Sequence, residues 1–330
     1  MSRFSILDLA PVPQGSTVGQ ALRNSIDLAQ WAEHLGFHRY WVAEHHNMPG
    51  VASAATAVLI GQIAAATSTL RLGAGGIMLP NHAPLIIAEQ FGTLAALYPG
   101  RIELGLGRAP GTDGHTAHAL RRNLHSSTDQ FPQDVQELQA YFNDSELRGA
   151  VRAIPGAGEQ VPVWILGSSL FGAQLAARLG LPFAFASHFA PAQLMDALRL
   201  YRQQFTPSAQ LDAPYAMAGF NIYAADTDEQ AHLLASSMQQ GFIRLRRGMP
   251  GTLAPPVPNY LDSLSPQEQQ LLQGIMRCSA IGTAETIAAQ TRAFVEESGV
   301  DEVMIACQIH DHQARRRSLE ITAQTLLSPG

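Results

Sequence analysis

Lysine is missing from this sequence: all 21 basic side chains among its 330 residues are arginines. The absence excludes chemistry that needs an ε-amine, namely a pyridoxal phosphate Schiff base, a lysine-dependent aldolase, and the phosphate-gripping lysine of P-loop enzymes and kinases. Any anion bound here must be held by arginine, hydroxyls or backbone N–H groups. Cysteine is nearly as scarce. Cys278 and Cys307 lie in apolar surroundings without C-x-x-C spacing, which predicts reduced thiols and a cytoplasmic setting. A net charge of −6 argues against a nucleic-acid or anionic-membrane partner. No apolar run of signal-peptide length precedes Pro11. The charge-free stretch Val51 to Leu70 carries Ser53, Thr56, Gln62, Thr67 and Ser68, too polar for a membrane span, and reads as a helix packed on both faces.

With 46% apolar residues the chain can fill a large core. Short β-branched runs alternate with helical patterns. The expected strands are Ser5 to Leu9, Arg39 to Ala43, Leu70 to Gly75, Arg101 to Gly105, Val161 to Leu166, Phe183 to Ser187, Ala216 to Tyr223 and Glu302 to Cys307. Helices are expected near 20–35, 53–67, 84–97, 128–142, 171–179, 191–205, 226–246, 283–298 and 312–327. Strict alternation means parallel strands with right-handed crossovers. A doubly wound sheet alternates too, but here nearly every strand ends in polar or glycine-rich sequence: Asp8, Glu44-His45-His46, Gly75-Gly76, Arg108, Ser168-Ser169, Ser187-His188, Asn221, and Gln308 with His310. A ring of that kind predicts an α/β fold of the (β/α)8 TIM-barrel type, with its site on the C-terminal face and residues 1–330 as a single domain. Two insertions on that face, 109–128 and 248–281, exceed simple connections; the second is as readily a flap as a surface excursion, and contains a capping box at Ser265 to Glu268.

Four groups of residues could carry chemistry. His45 and His46 end the second strand, where a histidine can move a proton near neutral pH. Adjacent strand residues point to opposite faces, which counts against the two chelating one metal, and no metal site is expected. Gly75-Gly76 permits a bulge or the close approach of a planar ligand. Arg108 stands at the active end of a strand in Gly105-Leu106-Gly107-Arg108-Ala109-Pro110-Gly111, whose spacing does not fit a dinucleotide fingerprint. The Gly167-Ser168-Ser169-Leu170-Phe171-Gly172 turn opens a helix whose free N–H groups and hydroxyls, beside Arg108, form a phosphate cradle. The arginine triplets at 244, 246, 247 and at 315, 316, 317 read as solvated helix faces. Helices 53–67 and 84–97 carry almost no charge and are expected to bury themselves against a second subunit.

The strings Trp41-Val42-Ala43-Glu44-His45-His46, Leu79-Pro80-Asn81-His82-Ala83-Pro84, Tyr98 to Arg108 and Gly167-Ser168-Ser169 together resemble the bacterial luciferase-like flavin monooxygenases, closest to their single-chain, non-luminescent branch. The resemblance runs along nearly the whole chain and implies a dimeric barrel that binds FMN. It further implies that reduced FMN, delivered by a separate reductase, reacts with O2 through a C4a-peroxyflavin to oxidise a small organic substrate. By position, His45 matches the family's catalytic histidine, Gly75-Gly76 its non-prolyl cis peptide under the flavin ring, and Arg108 and Ser169 its phosphate ligands. Gly172 replaces a phosphate-binding hydroxyl, and Gly107 stands where luciferases carry a reactive cysteine, which speaks against light emission. The isoalloxazine walls are expected from Met78 and the region of Phe185. Two other readings remain at this level. A dehydrogenase using the deazaflavin F420 would share the fold, and a metal-dependent hydrolase could use His45, His188 and His310 or His312 with Asp8.

Overall fold

The computed structural model of the chain describes residues 2–109, 114–120, 130–143 and 151–327. All eight expected strands form: β1 Arg3–Asp8, β2 Arg39–Val42, β3 Arg71–Met78, β4 Ile102–Gly107, β5 Val163–Gly167, β6 Phe183–Phe185, β7 Ala216–Ala224 and, after one further strand, β9 Glu302–Ala306. Each pairs in parallel with its neighbour, β6 pairs with β7, and β9 returns to β1, so the sheet closes into a barrel. The missed strand is β8, Ser279–Gly282. It pairs with Asn221 to Ala224, just where the pairing of β7 with β9 ends at Asn221, and lies outside the closed ring. Four residues are too few for a strand signal to rise above the surrounding turns.

Helices α1 Val18–Leu35, α2 Thr56–Ala66, α3 Pro84–Leu97, α5 Phe131–Phe142, α6 Leu170–Leu179, α7 Leu194–Gln204, α8 Asp228–Arg246, α10 Ala284–Ser298 and α11 His312–Leu326 surround it, close to the expected spans. Within the insertions, α4 covers Gly114–Leu120 and α9 covers Pro266–Ile275. The Ser265 capping box forms as expected. Most of the 109–128 connection, and the first residues of the helix expected from 128, lie outside the described residues. No helix among the described residues is long and apolar enough to cross a membrane.

Strand alternation divides the core in two. One parity, including Ile6, Tyr40, Val42, Leu104, Ile165, Phe183, Phe185 and Phe220, packs under the helices. The other, Leu7, Trp41, Ala43, Trp164, Ala184, Met217 and Met304, fills the barrel interior. Glycines on the inner parity make room for the large rings: a Cβ at Gly73 would fall 2.6 Å from the indole Nε1 of Trp41. Below this layer the N-terminal end is closed by charge. Arg39, 2% exposed, grips Glu302 through Nε at 2.7 Å and Nη2 at 2.9 Å, and pairs with Glu103 through Nη1. Trp41 Nε1 donates to Glu103, Tyr215 donates to Glu302, and the Arg39 guanidinium lies over the Trp164 ring. Every charge of this plug therefore has a partner, the condition under which buried ions are tolerated.

Asp8 and Arg315 depart from expectation together. Asp8 is fully buried and accepts hydrogen bonds from Arg315 at 2.8 Å, Ser25 at 2.5 Å and Tyr40 at 2.8 Å. Arg315 is 2% exposed and also donates to the Cys307 carbonyl. It belongs to a buried ion pair that ties α11 to β1, not to a solvated face. Arg316 is likewise engaged, with Asp27 and the Trp31 ring.

Candidate active site

A cavity of about 410 Å³ opens at the C-terminal ends of the strands. Seven of the polar or glycine-rich strand ends meet on its wall: His45, Gly75, Arg108, Ser168 with Ser169, His188, Asn221 and Gln308. Most of the remaining surface is apolar and includes Leu7, Leu9, Met48, Val51, Met78, Phe131, Leu166, Phe171, Phe189 and Leu253. Phe185, expected nearby, is on the other strand parity, packs edge-on against Phe183 under the helices, and is not on the wall. Residues 250–253 of the second insertion do line the cavity. They are pinned there by Gln14 N–H to Leu253 O at 2.8 Å and Leu253 N–H to Val12 O at 2.9 Å, so this end of the insertion is a fixed wall.

Gly75 and Gly76 form a bulge in β3: Ala74 pairs with Leu104 and Ile77 with Leu106, leaving two residues opposite Gly105. The Gly75–Gly76 peptide is cis. Gly75 faces the cavity, whereas Gly76 is packed into the wall, where a Cβ would meet Gly105 O at 2.7 Å.

The β5–α6 turn brings a helix N-terminus to the cavity. Ser169 is the N-cap of α6 in an extended conformation and spends no side-chain hydrogen bond on the helix, so its hydroxyl is available to a ligand. Gly167 and Gly172 pack closely; a Cβ on either would stand 3.3 Å from the other's Cα. The absence of side chains there keeps the helix N-terminus open, with its unpaired N–H groups facing the same cavity that Ser168, Ser169 and Gly172 line. The Arg108 guanidinium carbon lies over the Phe171 ring, 4.0 Å from its centre, beside the turn. Arg244, read from sequence as part of a solvated face, also lines the cavity, because the last turns of α8 present Met238, Phe242 and Arg244 inward. A triplet of arginines gives no sign in the sequence of which one turns in.

The two adjacent histidines separate. His45 is on the cavity wall, while His46 is not, in keeping with the alternation of the strand that ends just before them. Instead His46 Nε2 lies 2.8 Å and His82 Nε2 2.9 Å from Glu44 Oε1, and the Met78 N–H donates to Glu44 Oε2 at 3.1 Å. Glu44 is 1% exposed; burial pushes its carboxyl up, but the donors from His82, His46 and Met78 outweigh this and hold it below the usual range. These three side chains are close enough to share a cation. The carboxylate already accepts three donors, so the set is complete as a hydrogen-bonded cluster. Of the groups a metal hydrolase would need, His45 and His188 share the cavity wall, but Asp8 is bound to Arg315, His312 to Asp27, and His310 to the Gln14 carbonyl.

Fold and site thus define a parallel (β/α)8 barrel with an open helix N-terminus and a histidine on one largely apolar cavity. The chain belongs to the luciferase-like monooxygenase family, whose description matches residues 2–302. It is an oxidoreductase. It is 56% identical over 318 residues to a luciferase-like monooxygenase of Escherichia coli (strain K12), covering 96% of this chain and 95% of that one. It is 31% identical to the N-acetyl-S-alkylcysteine monooxygenase of Bacillus subtilis (strain 168), covering 99% of each. Among solved structures, apo-MsnO8 superposes with a TM-score of 0.89 at 32% identity over the whole of both chains. The same fold recurs, at 16% identity in each case, in the FMN complex of the oxygenating constituent of 3,6-diketocamphane monooxygenase of Pseudomonas putida (TM-score 0.72, 98% of this chain and 97% of that one). It recurs also in an F420-dependent secondary alcohol dehydrogenase (TM-score 0.67, 97% of each).

Proposed function

We propose that the cavity binds reduced FMN and that the protein uses it with O2 to oxidise a small, largely apolar substrate. The observation that carries this reading is the joining of Arg108, the open N-terminus of α6 and the Gly75 backbone on one apolar wall. The parts fit the group. The uncapped Ser169 hydroxyl, the N–H groups at Gly172 and the Arg108 guanidinium would hold a phosphate, and the side-chain-free Gly75 offers a flat surface for a planar ring. The bound flavin would supply the two electrons that activate oxygen.

The remaining steps belong to the chain's own groups. Apolar walls keep bulk water from the reacting atoms. His45 accepts or returns a proton at the cavity face, and His46, turned to Glu44 on the far side, fixes the strand end that carries it. The protein is read as one domain acting as a homodimer through α2 and α3, with reduced flavin arriving from a separate reductase.

Titration with FMN and with F420, each oxidised and reduced, tests the reading: FMN is expected to bind in the low-micromolar range or tighter. Absence of affinity in both redox states, or preference for F420, would overturn the assignment, the latter in favour of a deazaflavin dehydrogenase. Loss of reduced-FMN-dependent oxygen consumption in His45→Ala with FMN affinity retained is the expected signature of the histidine's role.

A further inference from the structure

His188 follows β6 and stands on the cavity wall, yet it is outside every role assigned above. Its ring is not a surface imidazole. The Nδ1 is sealed from solvent and meets no hydrogen-bonding partner. It presses on β7 so closely that a Cβ at Gly219 would fall 2.2 Å away, so the absence of a side chain at 219 is what admits the ring. Two bonds lock the backbone around it to the same strand: Asn221 Nδ2 donates to the His188 carbonyl at 2.7 Å, and Ser187 Oγ donates to Gly219 O at 2.6 Å. Phe189 packs edge-on against the ring at 5.0 Å.

This placement decides the state of the imidazole. A buried N–H without an acceptor is a costly defect, so the single proton of the neutral ring belongs on Nε2, the nitrogen that is not closed off against β7. Burial, with the neighbouring His45 opposing a second positive charge, pushes the pKa down to about 4 and keeps the ring neutral. A rigid, uncharged N–H donor on an apolar wall is a recognition device, since a few placed polar groups orient ligands in such cavities.

We propose that His188 is a substrate-recognising residue: its Nε2–H donates a hydrogen bond to the oxygen or sulfur acceptor of a substrate that is otherwise apolar. Leu9, Met48, Val51 and Leu253 supply walls for the apolar part. The inference rests on reading this cavity as the active site, and a substrate with one acceptor, such as a ketone, ether or thioether, is the class it selects.

The test uses the full chain. Long-range ¹H–¹⁵N correlation on ¹⁵N-histidine protein, assigned by comparison with His188→Gln, is expected to show the Nε2–H tautomer with no titration between pH 5 and 8. Binding of 2-octanone and octane is then compared. The ketone is expected to bind roughly fivefold more tightly than the alkane, the preference to vanish in His188→Leu and to survive in His188→Gln, whose amide can still donate. An Nδ1–H tautomer, a titration near neutrality, or a ketone preference untouched in His188→Leu would overturn the proposal. FMN titration of the same proteins reports on the cofactor separately: wild type that prefers the ketone but binds no FMN sinks the flavin reading and leaves His188 standing.

Discussion

A Cβ at Gly107 would fall 2.9 Å from both Sδ and Cε of Met78. The thioether therefore occupies the space a side chain at 107 would need, and both residues line the cavity. The glycine found where luciferases carry a cysteine is thus coupled to a methionine wall. Met is adaptable and the contact is at its flexible end, so Gly107→Cys is expected to fold with Tm changed by no more than about 3 °C. Displacing the thioether should change FMN affinity severalfold. An unaltered affinity in a fluorescence titration would show that Met78 does not bound the flavin site.

In a chain without lysine the cation available to a phosphate is arginine, and among the described residues Arg108 is set beside the α6 N-terminus. Losing a charge-assisted hydrogen bond costs about 1.5–3 kcal/mol, so Arg108→Ala should weaken FMN binding roughly 10- to 150-fold. Arg244 lines the same cavity and is the natural comparison. Calorimetry on both variants should find the larger loss at Arg108; the reverse order would move the phosphate to the α8 side.

The barrel was legible because short apolar, β-branched runs and helical patterns alternate and because polar residues collect at one end of the strands. The separation of His45 from His46 agrees with the alternation of β2 although the strand itself ends at Val42. Other features depend on tertiary contacts that no local pattern reports. Arg315 and Arg317 sit in one triplet, yet the first is buried against Asp8 and the second is at the surface with Asp226 and Glu320. Likewise Arg244 turns into the cavity only because of how α8 lies on the barrel. The Gly219 and His188 pairing joins β7 to the connection after β6, and the sequence carried only a histidine after a short apolar run. The region of Phe185 does reach the wall through Ala186, His188 and Phe189, but Phe185 itself does not; its face could not be assigned because the end of β6 was not known well enough.

The neutral state of His188 has a thermodynamic consequence. Its folded pKa is lowered to about 4, below the value near 6.5 that it takes when unfolded. Below pH 6.5 the unfolded chain binds a proton that the folded chain refuses, so stability falls as pH drops from 6.5 toward 4 and is fully present above 6.5. The slope from this group approaches about 1 kcal/mol per pH unit in the middle of that window. Urea unfolding at pH 7, 6 and 5 should show a smaller loss for His188→Gln than for wild type. Parallel pH profiles for the two proteins would refute the assignment.

Arg39 holds two buried carboxylates at the closed end of the barrel and is not on the cavity wall. Its removal strands Glu103 and Glu302 without their central cation, although Arg71 still reaches Glu103 at 3.1 Å and Tyr215 still donates to Glu302. Arg39→Met should cost about 3–5 kcal/mol in chemical denaturation, the usual penalty for breaking a buried pair from one side. FMN affinity of the folded fraction should be unchanged, which separates this structural plug from the site above it.

Helices α2 and α3 leave apolar side chains in the open: Val58 is 70% exposed, Leu97 65% and Ile86 47%. Ring helices of a barrel normally turn charge outward, and α2 has none while α3 has only Glu89. Solvent is a poor neighbour for this pair, and a second copy of the chain would remove it from water by the same patch on both sides. A stable interface buries about 1,200–2,000 Å² in total, which both helices together are needed to supply. Sedimentation of wild type at micromolar concentration should therefore give a dimer. Val58→Arg combined with Leu97→Arg should give a monomer of unchanged secondary structure, because the added charges cannot be desolvated across a two-fold contact. A dimer that persists in the double variant would place the interface on another face.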